Sequence, residues 1–376
     1  MPLGTKSAKG DFADFNYDGI GTEDYLPGAV SGAARAAGLS ARRSEYFGRM
    51  KAVIITRPGG AEVLEVQERP KPEPGVEQIR VRVRASALNR ADLLQRAGNY
   101  PIPPGIPADM PGMEYAGEVE ALGAGASMWK IGDRVMGIIG GAGHAEYLCV
   151  HEREAMPIPR GMSWEDAGAI PEVFLTAYDA LFNRLALNTG ETVLIHAVGS
   201  GVGTAGLQIA CAAGARVVGT ARSPDKLERA KKLGLDVAID SSRGDWAAQV
   251  DAAIGPERVN ALLDLVGGNY LEGNLRVLTL RGRMVVVGLT AGASSPFNMS
   301  VLLRKRLTIV GTMLRNRPLE EKISLAREFS ERGVPLFETG RLKPVVDRVF
   351  GFEEIRAAHH LMESNDTFGK IVLAWK

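Results

Sequence analysis

Apolar and polar residues alternate over Lys51–Thr56 and Gln78–Arg84, a spacing that turns every second side chain to one face and predicts strands. The Pro-rich RPKPEPG between them reads as a loop. Gly117–Val119, Asp133–Gly137 and Ala145–Val150, set between Gly and Pro turns, add further strands, so the chain is β-rich to about residue 170. The period then changes. Val173–Leu187 places apolar residues at helical spacing, and a strand–loop–helix rhythm follows. Strands are predicted at Thr192–His196, Arg216–Thr220, Val237–Asp240, Ala261–Leu265, Met284–Val287 and Leu307–Val310. Helices are predicted at Val202–Ala213, Pro224–Leu233, Asp245–Ile254, Leu271–Leu278 and Ser300–Leu303. Such alternation builds an α/β fold, a parallel six-stranded sheet with helices on both faces. Amphipathic helices at Leu319–Arg332 and Phe352–Glu363 and a strand at Lys370–Ala374 complete the pattern.

Two stretches depart from it. Thr192–Ala215 carries no charge and is long enough to suggest a membrane span. Its glycines cluster between a β-branched run and a helical run, so a buried strand–turn–helix explains it better and no membrane partner is expected. Residues 1–49 keep no apolar period and lack the apolar core of a secretory signal. Asp11, Asp14, Asp18, Glu23 and Asp24 argue against a transit peptide. This stretch reads as a disordered tail, and MKAVIITRPGG at Met50 looks like a natural start; 376 − 49 leaves 327 residues.

A chain of 376 residues calls for two domains. Its 45 Lys+Arg against 44 Asp+Glu offer no electrostatic case for nucleic acid. Two Cys can form neither a disulfide framework nor a four-thiolate zinc site, which points to a reducing, cytoplasmic setting. Cys211 and Cys149 are expected to be packing residues, and the helix carrying His359 and His360 to face solvent.

The segment HAVGSGVGTAG, His196–Gly206, follows a strand and opens a helix, as a dinucleotide-binding loop requires. Ser200, Gly201, Val202 and Gly203 are its candidate contacts: Gly201 and Gly203 lack a Cβ, so a pyrophosphate can approach the backbone, and the following helix presents its positive end. The end of the next strand selects the nucleotide. An NAD site usually has an acid there, about 20 residues past the loop. This chain has Thr220-Ala221-Arg222-Ser223-Pro224-Asp225-Lys226. Arg222, Ser223 and Lys226 suit a 2′-phosphate, so NADPH is favoured over NADH. Ser223 before Pro224 is equally a helix cap.

The order of these regions resembles the medium-chain dehydrogenase/reductase superfamily. SALNRADLLQRAGNYP, PGMEYAGEVEALG, WKIGDRV, AIPEVFLTAY and SGVGTAG together resemble its zinc-free quinone oxidoreductases, most of all the p53-inducible quinone oxidoreductase group. The resemblance implies a GroES-like β-rich catalytic domain over 50–172 and 316–376, enclosing a Rossmann doubly wound domain over 173–315. Zinc-dependent members present Cys where this chain has Asn89, and Gly-His-Glu where it has Gly112-Met113-Glu114. Asn and Met do not replace a thiolate and an imidazole, so no zinc is expected. Without a Lewis acid the substrate must accept hydride readily, as a quinone or activated alkene does.

The resemblance also implies site roles. Asn89 and Asp92 would lie beside the nicotinamide ribose, with Tyr100 facing the substrate, as stacking partner, hydrogen-bond donor or proton donor. Thr176 would lie near the nicotinamide phosphate. Val266 ends the fourth strand of the parallel sheet, Gly288 and Leu289 follow the fifth, and Met313 and Leu314 the sixth; these positions and Lys370 would face the cofactor cleft. Many such reductases have a Tyr after the third strand; here Ile239-Asp240-Ser241-Ser242 stands there, and Asp240 would oppose a 2′-phosphate if it pointed inward. A homodimer is implied through the sixth strand, near Leu307–Thr312. Two other functions fit the same segments: a 2-enoyl-thioester or enone reductase with Tyr100 as proton donor, and a dinucleotide-binding protein with little catalysis.

Overall fold

The structure, a computed structural model, describes residues 48–376. The expected tail lies outside them except at its last two positions, and there the boundary moves. Arg49 already opens β1 (Arg49–Ile55), which pairs antiparallel with β2 (Leu64–Pro70) along its whole length. β2 escaped the sequence reading because charged residues interrupt its short apolar run and Pro70 ends it, which only an edge strand tolerates.

β3 (Gln78–Ala87), β4 (Glu114–Leu122), β5 (Arg134–Ile138), β6 (Tyr147–His151) and β7 (Met156–Pro157) form most of a β-rich sheet. The alternation in β3 buries Ile79, Val81, Val83 and Ala85. A helix over Arg90–Arg96, not predicted, follows β3; at its start the Asp92 carboxylate reaches back to accept from the Asn89 N–H at 2.7 Å.

The second half is a parallel sheet of β8 (Thr192–Ile195), β9 (Arg216–Ala221), β10 (Val237–Asp240), β11 (Val259–Asp264), β12 (Leu278–Val286) and β13 (Thr308–Gly311). Its order is β10-β9-β8-β11-β12-β13, so the winding reverses between β8 and β11. A crevice at the carboxyl ends of those two strands is where such sheets bind ligands. Helices begin where short polar side chains accept amide protons: Ser200 from Gly203 at 3.1 Å and Asp245 from Ala248 at 2.9 Å.

The helix expected over Val173–Leu187 is two pieces, an α-helix Pro171–Tyr178 and a wider π-turn Asp179–Arg184. The break coincides with a buried anchor. Asp179 accepts from Arg317 at 2.6 Å and from Thr312 at 2.8 Å, tying this turn to the segment after β13.

After β13 and the helix Leu319–Arg332 the chain returns to the first sheet. β14 (Val346–Gly351), also unpredicted, lies parallel to β15 (Lys370–Ala374), and β15 lies antiparallel to β3. The helix Ile355–Ser364 corrects one expectation: His360 is exposed, but His359 is fully buried, its Nδ1 3.1 Å from Arg96 Nη1. One apolar cluster joins the two halves, with Met136, Ile138 and Met156 packed with Phe174, Leu181, Ile195 and Phe329. Among the described residues no helix is long and apolar enough to cross a membrane.

Candidate active site

The Gly-rich loop leaves β8 under strain. Ala197 has φ 47°, a left-handed conformation uncommon for a residue with a Cβ. Ser200 caps the helix Gly201–Ala212. A Cβ on Gly203 would lie 2.4 Å from Ala197 O, and one on Gly201 would lie 2.9 Å from both Lys370 Cδ and Val173 Cγ1. The loop therefore presents bare backbone to the crevice, with Val202 half-buried between the two glycines. Such a cradle fits a pyrophosphate at a helix N-terminus.

The neighbouring strand ends are fixed from below. The Asp264 carboxylate accepts from Val266 N at 2.8 Å, Gly267 N at 2.9 Å and Asn274 Nδ2 at 2.9 Å. Asn274 in turn lies 2.7 Å from His196 Nε2, and His196 Nδ1 lies 2.9 Å from Thr220 Oγ1. Burial holds His196 below the ordinary imidazole pKa. This relay joins the ends of β8, β9 and β11. Gly288 stands across from Leu265, where a Cβ would meet Leu265 O at 2.6 Å; Leu289 beside it is exposed.

At the end of β9, Arg222 is exposed, while Ser223 caps the next helix and accepts from Lys226 N at 3.5 Å. The Lys226 ammonium donates to the carbonyl of Asn365, and Arg90 reaches the side chain of the same residue at 2.5 Å. Burial, with Arg222 nearby, lowers the Lys226 pKa. Asp240 does not face this cluster as an open anion. It accepts from Ser242 N and Oγ and pairs with Arg243 at 2.8 Å.

The other wall of the crevice is a buried polar cluster. Lys370 Nζ donates to Leu88 O at 2.7 Å, Asn89 Oδ1 at 2.6 Å and Glu114 Oε1 at 2.7 Å. Asn89 Nδ2 donates to Glu114 Oε1 at 2.8 Å and to Ala87 O at 3.3 Å. Glu114 Oε2 accepts from the Glu172 N–H at 2.9 Å. Asp92 accepts from Asn89 N at 2.7 Å and Gly112 N at 3.0 Å. Burial opposes its ionisation, yet the His144 contact and the Asn89 N–H hold its pKa below the usual carboxylate range. Thus Asn89 links Asp92 to Lys370, but the polar atoms of all three are taken by Glu114, by one another and by backbone groups. Thr176 is buried one turn after Glu172.

Tyr100 and Met313 close the open side. Tyr100 Oη donates to Met313 Sδ at 3.5 Å, and the Arg315 guanidinium lies 5.0 Å from the Tyr100 ring centre. Leu314 is buried between them and the core. Sequence reading missed Glu114, Glu172, Asp264 and Arg315 as site residues. The signal was an acid inside an apolar run, in PGMEYAG and AIPEVFLTAY; both were read as motifs rather than as charges that burial must compensate.

Among the described residues no group of three His, Cys, Asp or Glu converges as a metal site. Both cysteines are half-buried, and Cys211 donates its thiol to Gly234 O at 3.3 Å.

Residues 75–160 match the family model of the alcohol dehydrogenase GroES-like domain, and residues 201–331 match that of the zinc-binding dehydrogenases. Quinone oxidoreductase of Pseudomonas aeruginosa is 32% identical over 84% of this chain and 96% of its own. The human synaptic vesicle membrane protein VAT-1 homolog is 32% identical over 86% of each chain. A mycobacterial protein solved in complex with NADPH superposes with a TM-score of 0.76 at 28% identity, covering 87% of this chain and all of the other. The shared architecture, a GroES-like domain built around a dinucleotide-binding sheet, is that of a medium-chain oxidoreductase. The chain belongs to the medium-chain dehydrogenase/reductase superfamily, in its quinone oxidoreductase group.

Proposed function

We propose that the chain is an NADPH-dependent, zinc-independent quinone reductase, passing hydride from nicotinamide to a quinone or similar conjugated acceptor. The observation that carries the cofactor choice is the end of β9: no acid stands there, and Arg222, Ser223 and Lys226 gather where a 2′-phosphate would lie. NADPH would rest its pyrophosphate on Ser200–Gly203, with Val266, Gly288 and Leu289 along its path and Met313 near the nicotinamide. When bound it supplies a hydride; the protein orients a flat acceptor against it. The donor chemistry at Asn89 speaks against zinc. Its amide is spent on Ala87, Glu114 and Lys370, and Met113 beside Glu114 is a buried thioether.

The test is a pair of steady-state assays. With NADPH, 1,2-naphthoquinone should be reduced and a crotonyl thioester should not; the reverse would favour an enone reductase. Cofactor binding with no acceptor turned over would favour a non-catalytic protein. A homodimer belongs to the same proposal. β13 is an edge strand, and Leu280, Met299 and Leu303 lie exposed in the elements beside it, so a second copy would cover an edge that otherwise invites pairing. Sedimentation should then give twice the chain mass.

A further inference from the structure

Glu172 has no part in the site as described so far beyond its backbone N–H. It is the second residue of the helix Pro171–Tyr178, half-buried at the seam between the two sheets. With Met113, Ile139, Gly140, Leu314 and Arg315 it lines a cavity of about 20 Å³, room for a single water molecule. Arg315 is 7% exposed and rigidly held, Nε on Gly140 O and Nη2 on Gln95 Oε1, both at 2.7 Å. Its remaining nitrogen, Nη1, is buried without a partner. An arginine with an unsatisfied buried donor and a glutamate thus line one small, mostly apolar space, and the Arg315 guanidinium also lies over Tyr100 on the acceptor side.

Burial favours the protonated form of Glu172, and the charges around it act in both directions. Asp92 on the Arg90–Arg96 helix and Glu114 on β4 are both fully buried acids. Lys370 on β15 is the buried base among them, and it bonds to Glu114 rather than to Glu172. His144 and His359 near Asp92 are buried, and burial holds His359 neutral. Lys322, which also lines the cavity, is paired with Glu154 at 2.9 Å. Burial raises the Glu172 pKa to about 7; Lys370 and Thr176 pull it down, while Glu114 and Asp92 add to the rise. A carboxyl with that value holds a proton at neutral pH and can release it.

We propose that Glu172 is a proton donor of this enzyme, passing a proton across the cavity it shares with Arg315 to the acceptor after hydride transfer. The proposal rests on the reductase reading above. Hydride brings two electrons and one hydrogen from the nicotinamide to the acceptor, which becomes an anion. The Glu172 O–H bond breaks, a new O–H forms on that anion, and the carboxylate is reprotonated from solvent. Arg315 Nη1 orients the intervening water.

The experiment joins two readouts. Infrared difference titration of the cofactor-free protein should show a protonated carboxyl band that disappears near pH 7 and is absent in Glu172→Gln. In steady state, the wild-type kcat for the quinone should fall above pH 7, and Glu172→Gln should lower kcat about a hundredfold and remove that pH dependence. Glu172→Asp keeps a carboxyl and should restore a pH-dependent limb, which loss of folding would not do. A Glu172→Gln protein that binds NADPH and keeps wild-type kcat and pH profile overturns the proposal. So does a carboxyl that is ionised from pH 5 upward, whatever the activity. If the wild type reduces no acceptor while the band titrates near pH 7, the reductase reading fails and the proton-holding site stands.

Discussion

Lys370 Nζ and Glu114 Oε1 lie 2.7 Å apart in the interior, with both side chains almost wholly removed from solvent. The pair spans 256 positions of sequence and joins β15 to β4, while the Lys370 stem packs against the phosphate loop at Gly201. A buried ion pair is costly to break on one side only. Lys370→Met should destabilise the fold by roughly 3–5 kcal/mol, because Glu114 is left as an uncompensated buried charge. Lys370→Met with Glu114→Gln should recover part of that loss. Urea unfolding of the two single variants and the double variant measures the coupling.

His359 sets an acid limit. Burial, aided by Arg96 and His144, depresses its pKa to about 3 from the ordinary 6.5. The unfolded chain therefore binds this proton before the folded one does. The stability this supplies is present above pH 6.5 and is lost as the pH falls toward 3. In His359→Gln, stability should change less between pH 6.5 and 4 than in the wild type. Thermal melts across that range would contradict the assignment if the two proteins lost stability in parallel.

Gly203 is a position without room. A Cβ there meets Ala197 O at 2.4 Å and the Val198 backbone at 2.8 Å, and neither atom belongs to a flexible side chain. Gly203→Ala should displace the strained turn at Ala197 and weaken dinucleotide binding at least tenfold, about 1.4 kcal/mol. Quenching of protein fluorescence by NADPH reports the dissociation constant directly.

Arg222 should separate the two nicotinamide cofactors. Arg222→Ala is expected to raise the Kd for NADPH about tenfold, a charge-assisted bond's worth, and leave that for NADH within twofold. Equal weakening of both by calorimetry would show that Arg222 does not read the extra phosphate.

Tyr100 touches Met313 and Arg315 by its ring and hydroxyl. Tyr100→Phe keeps the ring and removes the hydroxyl. For a quinone acceptor, kcat should fall by less than about fivefold, since the proton comes from elsewhere; an essential Tyr100 donor would cost a hundredfold or more.

The parallel sheet was legible because its central strands are buried and read as apolar, β-branched runs, as β8 (Thr192–Ile195) does; Val237–Asp240 at its edge, and Lys370–Ala374 in the β-rich sheet, also appear with the predicted bounds. β2 and β14 were not, since each has one wet face and charges at Glu65, Glu68, Asp347 and Arg348 that blur the alternation. In the site, the glycine loop was readable because glycine's absence of a side chain is itself a signal. The Asn89–Glu114–Lys370 cluster was only half readable. Each member shows up in a motif, but its meaning comes from pairing across 281 positions, which no local period records. His359 was misplaced for a related reason: its partner Arg96 lies 263 positions away.

Those separations also order the assembly of the molecule. The whole parallel sheet, β8 to β13, lies in sequence between Glu114 and Lys370. All its strand pairings, including that of β8 with β11, fall within this stretch, so it can close while the β-rich sheet still lacks the strand that sits between β14 and β3. Long-range pairings of this kind form late, because the loop they close costs entropy before any contact repays it. A nascent chain would accordingly own a complete dinucleotide platform before it owns a reduction site. Binding of the nucleotide at that platform during synthesis would then favour the last strand finding its place, because the Lys370 stem packs against the loop at Gly201.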